Sequence, residues 1–287
     1  TQKDVGGGQQ LQASLIADKL PFRDGRSAVL SPGTLQDRLM VGDRAALPAG
    51  DLTIEAFVLL RAPYDNAEVR TIAARWDGDL AHAGWSFGVT GKKSRYKPMT
   101  LILQLSTGAE GAKEAEPLFS GLFLQPGRPY FVAVSIKLAD GGEGPDGKEK
   151  AGGVTFFIKD LSNDDEPMQT ARVPHHTTKL PEIAAPLTIG GRWGAQKNLW
   201  DGLIDDVRLS DVAMRGEQLL LTTEGLTDHT VGYWRFENRT GAFNDSSPNG
   251  RNLMTITTDA GVRDTSLDAW TDFCHVLINS NELIYVD

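Results

Sequence analysis

Asp205 and Asp206 stand side by side in the run Asp201-Gly202-Leu203-Ile204-Asp205-Asp206-Val207-Arg208-Leu209-Ser210. Two carboxylates about 5–5.5 Å apart are what a retaining glycoside hydrolase uses as nucleophile and acid/base. Neighbours on a regular strand point to opposite faces, and only a bulge turns both to one side. Hydrogen bonding at the end of a strand is the favoured reading over such a bulge. His175 and His176 are consecutive and diverge on a strand, while His82, His229 and His275 have no near-sequence partner at metal-ligand spacing. No Gly-x-Ser-x-Gly elbow supports a serine nucleophile. Cys274 is the only cysteine, which rules out an internal disulfide and a cysteine zinc cluster. It reads as a small buried apolar residue.

Binding chemistry has better candidates than catalysis. The loop Asp245-Ser246-Ser247-Pro248-Asn249-Gly250 offers a carboxylate, a carboxamide and turn carbonyls, the hard oxygen donors that Ca2+ takes. The competing reading is an Asx or Ser turn whose backbone is fixed by Pro248 and Gly250, favoured because one acidic ligand binds calcium weakly. Sugar recognition needs aromatic faces beside groups that hydrogen-bond hydroxyls. Trp76, Trp193 and Trp200 sit in Gly- and Asp-rich stretches, flanked by Arg75, Asp77, Arg192 and Asn198. Stacking on a sugar and packing beneath a loop weigh about equally for them, whereas Trp85 and Trp234 belong to strands and to the core.

The elements that must carry these residues are strands. Tyr130, Val132, Val134 and Ile136 alternate with Ala133, Ser135 and Lys137; Val154, Phe156 and Ile158 with Thr155, Phe157 and Lys159. Leu101, Leu103 and Leu105, and Trp85, Phe87 and Val89, repeat the period of two that marks half-buried strands. Asp77-Gly78, Thr107-Gly108, Pro126-Gly127 and Gly190-Gly191 punctuate them as turns. Asp140 to Lys148 reads as an exposed hairpin tip. Many strands without helices between them predict antiparallel sheets packed face to face. Two helices are expected: a short one from Met214 to Thr222, and one from about Ser266 to Asn279. In the second, Leu267, Trp270, Phe273, Cys274 and Leu277 form one apolar stripe.

The 287 residues are 40% hydrophobic, enough for one large sandwich that buries roughly three quarters of its unfolded surface. The net charge of −9 disfavours nucleic acid, and no apolar run is long enough to span a membrane. The opening Thr1-Gln2-Lys3-Asp4-Val5 carries no signal peptide and reads as the start of a processed chain or fragment.

Taken in order, several segments resemble the laminin G-like jelly rolls of the concanavalin A-like lectin and glucanase superfamily. They are Phe22-Arg23-Asp24-Gly25, Leu52 to Val58, Ala74 to Gly78, Pro186 to Gly191, and Asp201 to Ser210. The resemblance implies an all-β, two-sheet antiparallel jelly-roll sandwich over residues 22–260, after an N-terminal extension over 1–21 and before a helical tail over 261–287. Glucanases of that superfamily carry Glu-x-Asp-x-x-Glu on one strand; no glutamate here opens that pattern, and Glu114-Ala115-Glu116 lacks the third carboxylate. The resemblance also implies a structural Ca2+ held by Asp245, Asn249 and Asp205. Family members open with a strand like Gly232-Tyr233-Trp234-Arg235-Phe236-Glu237, which here comes last. Val231 to Phe236 is therefore expected to fill the place of the missing first strand. The tail Trp270 to Asp287 is similar to the closing segment of large planctomycete proteins of unknown function with cytochrome c-like regions.

Together these readings predict a non-catalytic carbohydrate-binding or adhesion module of a larger exported protein, periplasmic, cell-surface or extracellular. Its expected ligand residues are Trp76, Arg75, Asp77, Trp193, Arg192 and Trp200. Its expected partners are a polysaccharide and other domains of the parent protein. Two rivals are a docking module without a sugar site and, less favoured, a glycoside hydrolase with an unfamiliar carboxylate pair.

Overall fold

The computed structural model describes residues 19–32, 36–41, 47–109, 114–138, 152–178, 180, 183–194, 197–237 and 243–257. Fourteen strands follow one another: β1 (Ala28–Leu30), β2 (Gln36–Val41), β3 (Leu52–Leu60), β4 (Val69–Arg75), β5 (Ala83–Thr90), β6 (Thr100–Thr107) and β7 (Glu116–Phe123). The rest are β8 (Pro129–Lys137), β9 (Gly152–Asp160), β10 (Gln169–His175), β11 (Thr188–Ile189), β12 (Gly202–Ser210), β13 (Thr230–Trp234) and β14 (Leu253–Thr257). They form two antiparallel seven-stranded sheets. The first runs β12-β3-β8-β9-β10, with β1 and β13 both on the outer edge of β12; the second runs β14-β2-β11-β4-β5-β6-β7. The predicted all-β sandwich is what the residues build.

The alternating faces meet between the sheets. Tyr130, Val132, Val134 and Ile136 of β8, and Val154, Phe156 and Ile158 of β9, pack against Trp85, Phe87, Leu101, Leu103 and Leu105 in one core. The opposite face of the first sheet is also buried. Phe57, Phe131, Ala133, Phe157, Leu203 and Tyr233 form a second cluster, roofed by Leu20 and by Met214, Leu219 and Leu220. Strands expected to be half-buried are therefore covered on both faces.

The roof corrects the first helix. Between Met214 and Thr222 only one turn of 3-10 helix forms, Gly216–Gln218. Its neighbours bond sideways instead of along a helix: Leu220 N–H donates to Glu55 Oε2 at 2.7 Å, and the Gln218 carbonyl accepts from Arg208 Nη2 at 2.8 Å. Backbone groups claimed by the sheet beneath cannot also close i to i−4 bonds. The hairpin tip at 140–148 and the second helix lie outside the described residues.

Strand β13 does take an edge position beside β12, pairing Val207↔Trp234, Arg208↔Tyr233 and Leu209↔Gly232. Strand β1 pairs the other half of the same edge, Ala28↔Ile204 to Leu30↔Gly202. Segments encoded some 200 residues apart thus share one edge, and the place where they meet falls at Asp205 and Asp206.

Candidate functional site

At that meeting point β12 slips register against β3 between Asp205 and Arg208, and Asp206 adopts φ 45°. The bulge turns both carboxylates outward from the intersheet core, the arrangement the sequence reading disfavoured. Arg23 Nε lies 3.4 Å from Asp205 Oδ2, and Nη2 of the same guanidinium bonds Asp206 Oδ2. That guanidinium also lies 3.4 Å above the Phe57 ring. Among the described residues Asp206 Oδ1 has no hydrogen-bond partner, with Arg235 Nε 3.6 Å away. Burial, with Asp206 beside it, pushes Asp205 up to about 8. Burial likewise raises Tyr233, helped by Asp206. The pair is nearly sealed from solvent, so no substrate reaches it in this arrangement. One turn further along β12 a second buried pair forms: Arg208 Nη2 lies 2.7 Å from Glu55 Oε1, with both side chains fully covered.

The predicted sugar ligands separate. Trp200 is enclosed in the intersheet core, its Nε1 donating to the Leu203 carbonyl at 3.3 Å. Arg75 spends its donors on the carbonyls of Leu47, Pro48 and Ile183, at 3.0–3.1 Å, and so ties loops together. Trp76 lies flat on the outer face of the second sheet, where Gly84 makes room for it: a Cβ on Gly84 would sit 2.6 Å from Trp76 Cβ. Its Nε1 donates to the Asp79 carbonyl at 2.8 Å, and Arg192 covers its ring at 4.8 Å. Arg192 in turn donates to Ser86 Oγ at 3.2 Å and to Gln104 Oε1, and its burial lowers its pKa to about 10. Asp77 accepts from Asp79 N–H at 2.9 Å and meets His82 Nδ1 at 2.5 Å, a contact that raises the histidine. Buried rings present no face to a sugar, which corrects Trp76 and Trp200. Of the three tryptophans only Trp193, half-exposed on the same loop as Arg192, keeps an accessible side chain.

That outer face holds aromatic residues which sequence reasoning missed. On β5, β6 and β7 the positions facing away from the core include Ser86, Gln104, Ile102, Phe119 and Phe123, in register Ser86↔Gln104, Ile102↔Phe119 and Thr100↔Phe123. Leu118 and Leu122 point the other way, into the core. Tyr96, from the loop joining β5 to β6, lies with its ring 5.8 Å from that of Phe119. Tyr96 is 59% exposed and Phe123 56%. The readable signal was β7 itself: Leu118-Phe119 and Leu122-Phe123 place large apolar residues on both faces of an edge strand.

The proposed calcium ligands do not assemble. Asp245 Oδ1 accepts from Tyr233 N–H at 2.9 Å and Ser247 N–H at 2.8 Å; Oδ2 accepts from Ser247 Oγ at 2.7 Å and Arg251 N–H at 2.9 Å. Four donors fill its lone pairs, so the residue does not fit a cation and instead fastens the loop to the free edge of β13. Asn249 Nδ2 donates to the Thr230 and Val231 carbonyls at 3.1 and 3.0 Å. Asp205, clamped by Arg23, shares no partner with either. Among the described residues no group of three or more His, Cys, Asp or Glu could hold a metal ion.

No protein-family model matches the chain, and no curated protein matches it. Solved structures align with parts of it. A candidate carbohydrate binding protein from Bacteroides ovatus aligns at 16% identity and TM-score 0.49, covering 79% of this chain and 59% of that one. A SAP-like pentraxin from Limulus polyphemus aligns at 15% and 0.45, over 84% of this chain and 98% of its own. The LG1-3 region of the laminin alpha2 chain aligns at 11% and 0.39, over 62% and 30%. At such identities and scores none of these likenesses says what this chain binds.

Proposed function

We propose that this chain is a non-catalytic carbohydrate-binding module of a larger exported protein, gripping polysaccharide on the outer face of its second sheet. The observation that carries the reading is the ring pair of Tyr96, exposed on its loop, and half-buried Phe119 on β7, with exposed Phe123 beyond it on the same strand. Large rings offered to solvent supply apolar area at little conformational cost, and polar neighbours such as Gln104 suit sugar hydroxyls. The sealing of Asp205 and Asp206 under Arg23 supports the non-catalytic part. A docking module is the second reading, favoured by Phe22, whose ring is 71% exposed at φ 64° beside that strap.

Affinity electrophoresis against a panel of soluble polysaccharides tests the proposal. Retardation by at least one polymer, lost tenfold or more in Tyr96→Ala and Phe123→Ala, is expected. A wild type that migrates freely through every polymer would defeat it.

A further inference from the structure

The loop bearing Tyr96 reads Gly91-Lys92-Lys93-Ser94-Arg95-Tyr96-Lys97-Pro98, four cations within six residues of a chain whose net charge is −9. Lys92 is paired with Asp65 at 2.8 Å. Lys93, Arg95 and Lys97 are exposed and form no close ion pair among the described residues, although Lys93 joins Lys92 in lowering the pKa of Asp65. The Arg95 guanidinium lies 5.7 Å from the Tyr96 ring. Lys97 reaches across to β7: a Cβ on Gly121, which sits at φ 74°, would lie 2.9 Å from its Nζ. Gly121 falls between Phe119 and Phe123 in sequence, so an ammonium group rests over the strand between two outward-facing rings.

Resting on the carbohydrate-binding reading above, we infer that the polymer held on this face is anionic, a polysaccharide bearing carboxylate or sulfate groups. Rings take the apolar faces of the sugars, while Lys93, Arg95 and Lys97 meet the acidic substituents between and beside them. A neutral glycan would leave Arg95 and Lys97 without an anionic partner in a chain otherwise acidic. A nucleic acid strand would present a phosphate at every unit and calls for a continuous cationic track, whereas three cations suit an acid group every sugar or two. Arg192, on the same face, is already committed to Ser86, Gln104 and Trp76 and adds no free charge.

The test measures binding of the full chain to hyaluronan (carboxylate only), dextran sulfate (sulfate only), neutral dextran and poly-uridylate across a salt series. The variant Lys93→Ala/Arg95→Ala/Lys97→Ala, altered only at exposed positions, is measured beside Tyr96→Ala. Expected is affinity for one acidic polysaccharide at least tenfold above dextran. It should fall tenfold or more in the triple variant, with a shallower salt dependence. Whether hyaluronan or dextran sulfate is preferred separates carboxylate from sulfate. Equal binding of dextran, or an unchanged triple variant, would overturn the inference while Tyr96-dependent binding keeps the carbohydrate reading alive. Poly-uridylate bound as tightly as either polysaccharide would overturn it as well. Binding to none of the four polymers would overturn the inference; retardation by another polysaccharide in the electrophoresis panel would keep the broader reading standing.

Discussion

Replacing Asp205 with Asn should flatten the pH dependence of stability and raise stability in mild alkali. The carboxyl of Asp205 is buried beside Asp206, and its pKa stands near 8 in the folded chain against 3.8 for an ordinary aspartate. A group whose folded pKa exceeds its unfolded one binds its proton more tightly when folded. Its contribution is complete below about pH 4 and is lost as pH climbs through about 8. One proton gives a slope of at most about 1.4 kcal/mol per pH unit, and the whole window a ceiling of roughly 6 kcal/mol. Asparagine keeps the shape of the protonated acid and cannot ionise. Urea unfolding of wild type and Asp205→Asn at pH 5, 7 and 9 and constant ionic strength isolates the effect, because titrating histidines such as His82 contribute equally to both proteins. The expected result is a variant whose stability relative to the wild type rises by about 1 kcal/mol or more between pH 5 and pH 9. Parallel pH curves, or a variant less stable at every pH, would refute the account of the buried pair.

Glu55→Gln breaks the covered pair with Arg208 and should cost about 3–5 kcal/mol, with faster proteolysis within residues 211–225 as the roof loosens. Trp76→Ala should lower stability by about 3–5 kcal/mol while the folded fraction still binds polysaccharide, because the ring is a buried support; urea titration and electrophoresis on one sample separate the two. Asp245→Ala strips the acceptor from four donors and should cost about 1–3 kcal/mol, while EGTA leaves the melting temperature of the wild type where it was.

Period-two alternation made one face of each strand legible, as Leu101, Leu103 and Leu105 show. It did not disclose that Phe131 and Ala133 on the other face of β8 are also covered, because the covering residues, Leu20 and Met214 to Leu220, come from distant segments. Matching residues 231–236 to an opening strand anticipated that this segment pairs at a sheet edge, and Thr230 to Trp234 does so beside β12. The binding face was poorly legible. Trp76 neighbours Gly and Asp and reads as a loop residue, yet its side chain folds back over Gly84, a contact between strands that adjacent residues do not announce. Tyr96 belongs to no alternating stretch, and its partner Phe119 is 23 residues away. The bulge at Asp205 depends on how β1, β13 and Arg23 meet, three parts of the chain that no local window contains.

The shared edge of β12 has a consequence for how the molecule comes into being. During synthesis β3 and β8 are complete long before β12 and residues 230–234 leave the ribosome, and β2 waits likewise for residues 253–257. Until then both sheets carry open borders with unpaired amides, the condition under which nascent β-proteins stick to one another. Closure is a late, long-range event, so folding should be slow and most vulnerable just before the last strands dock.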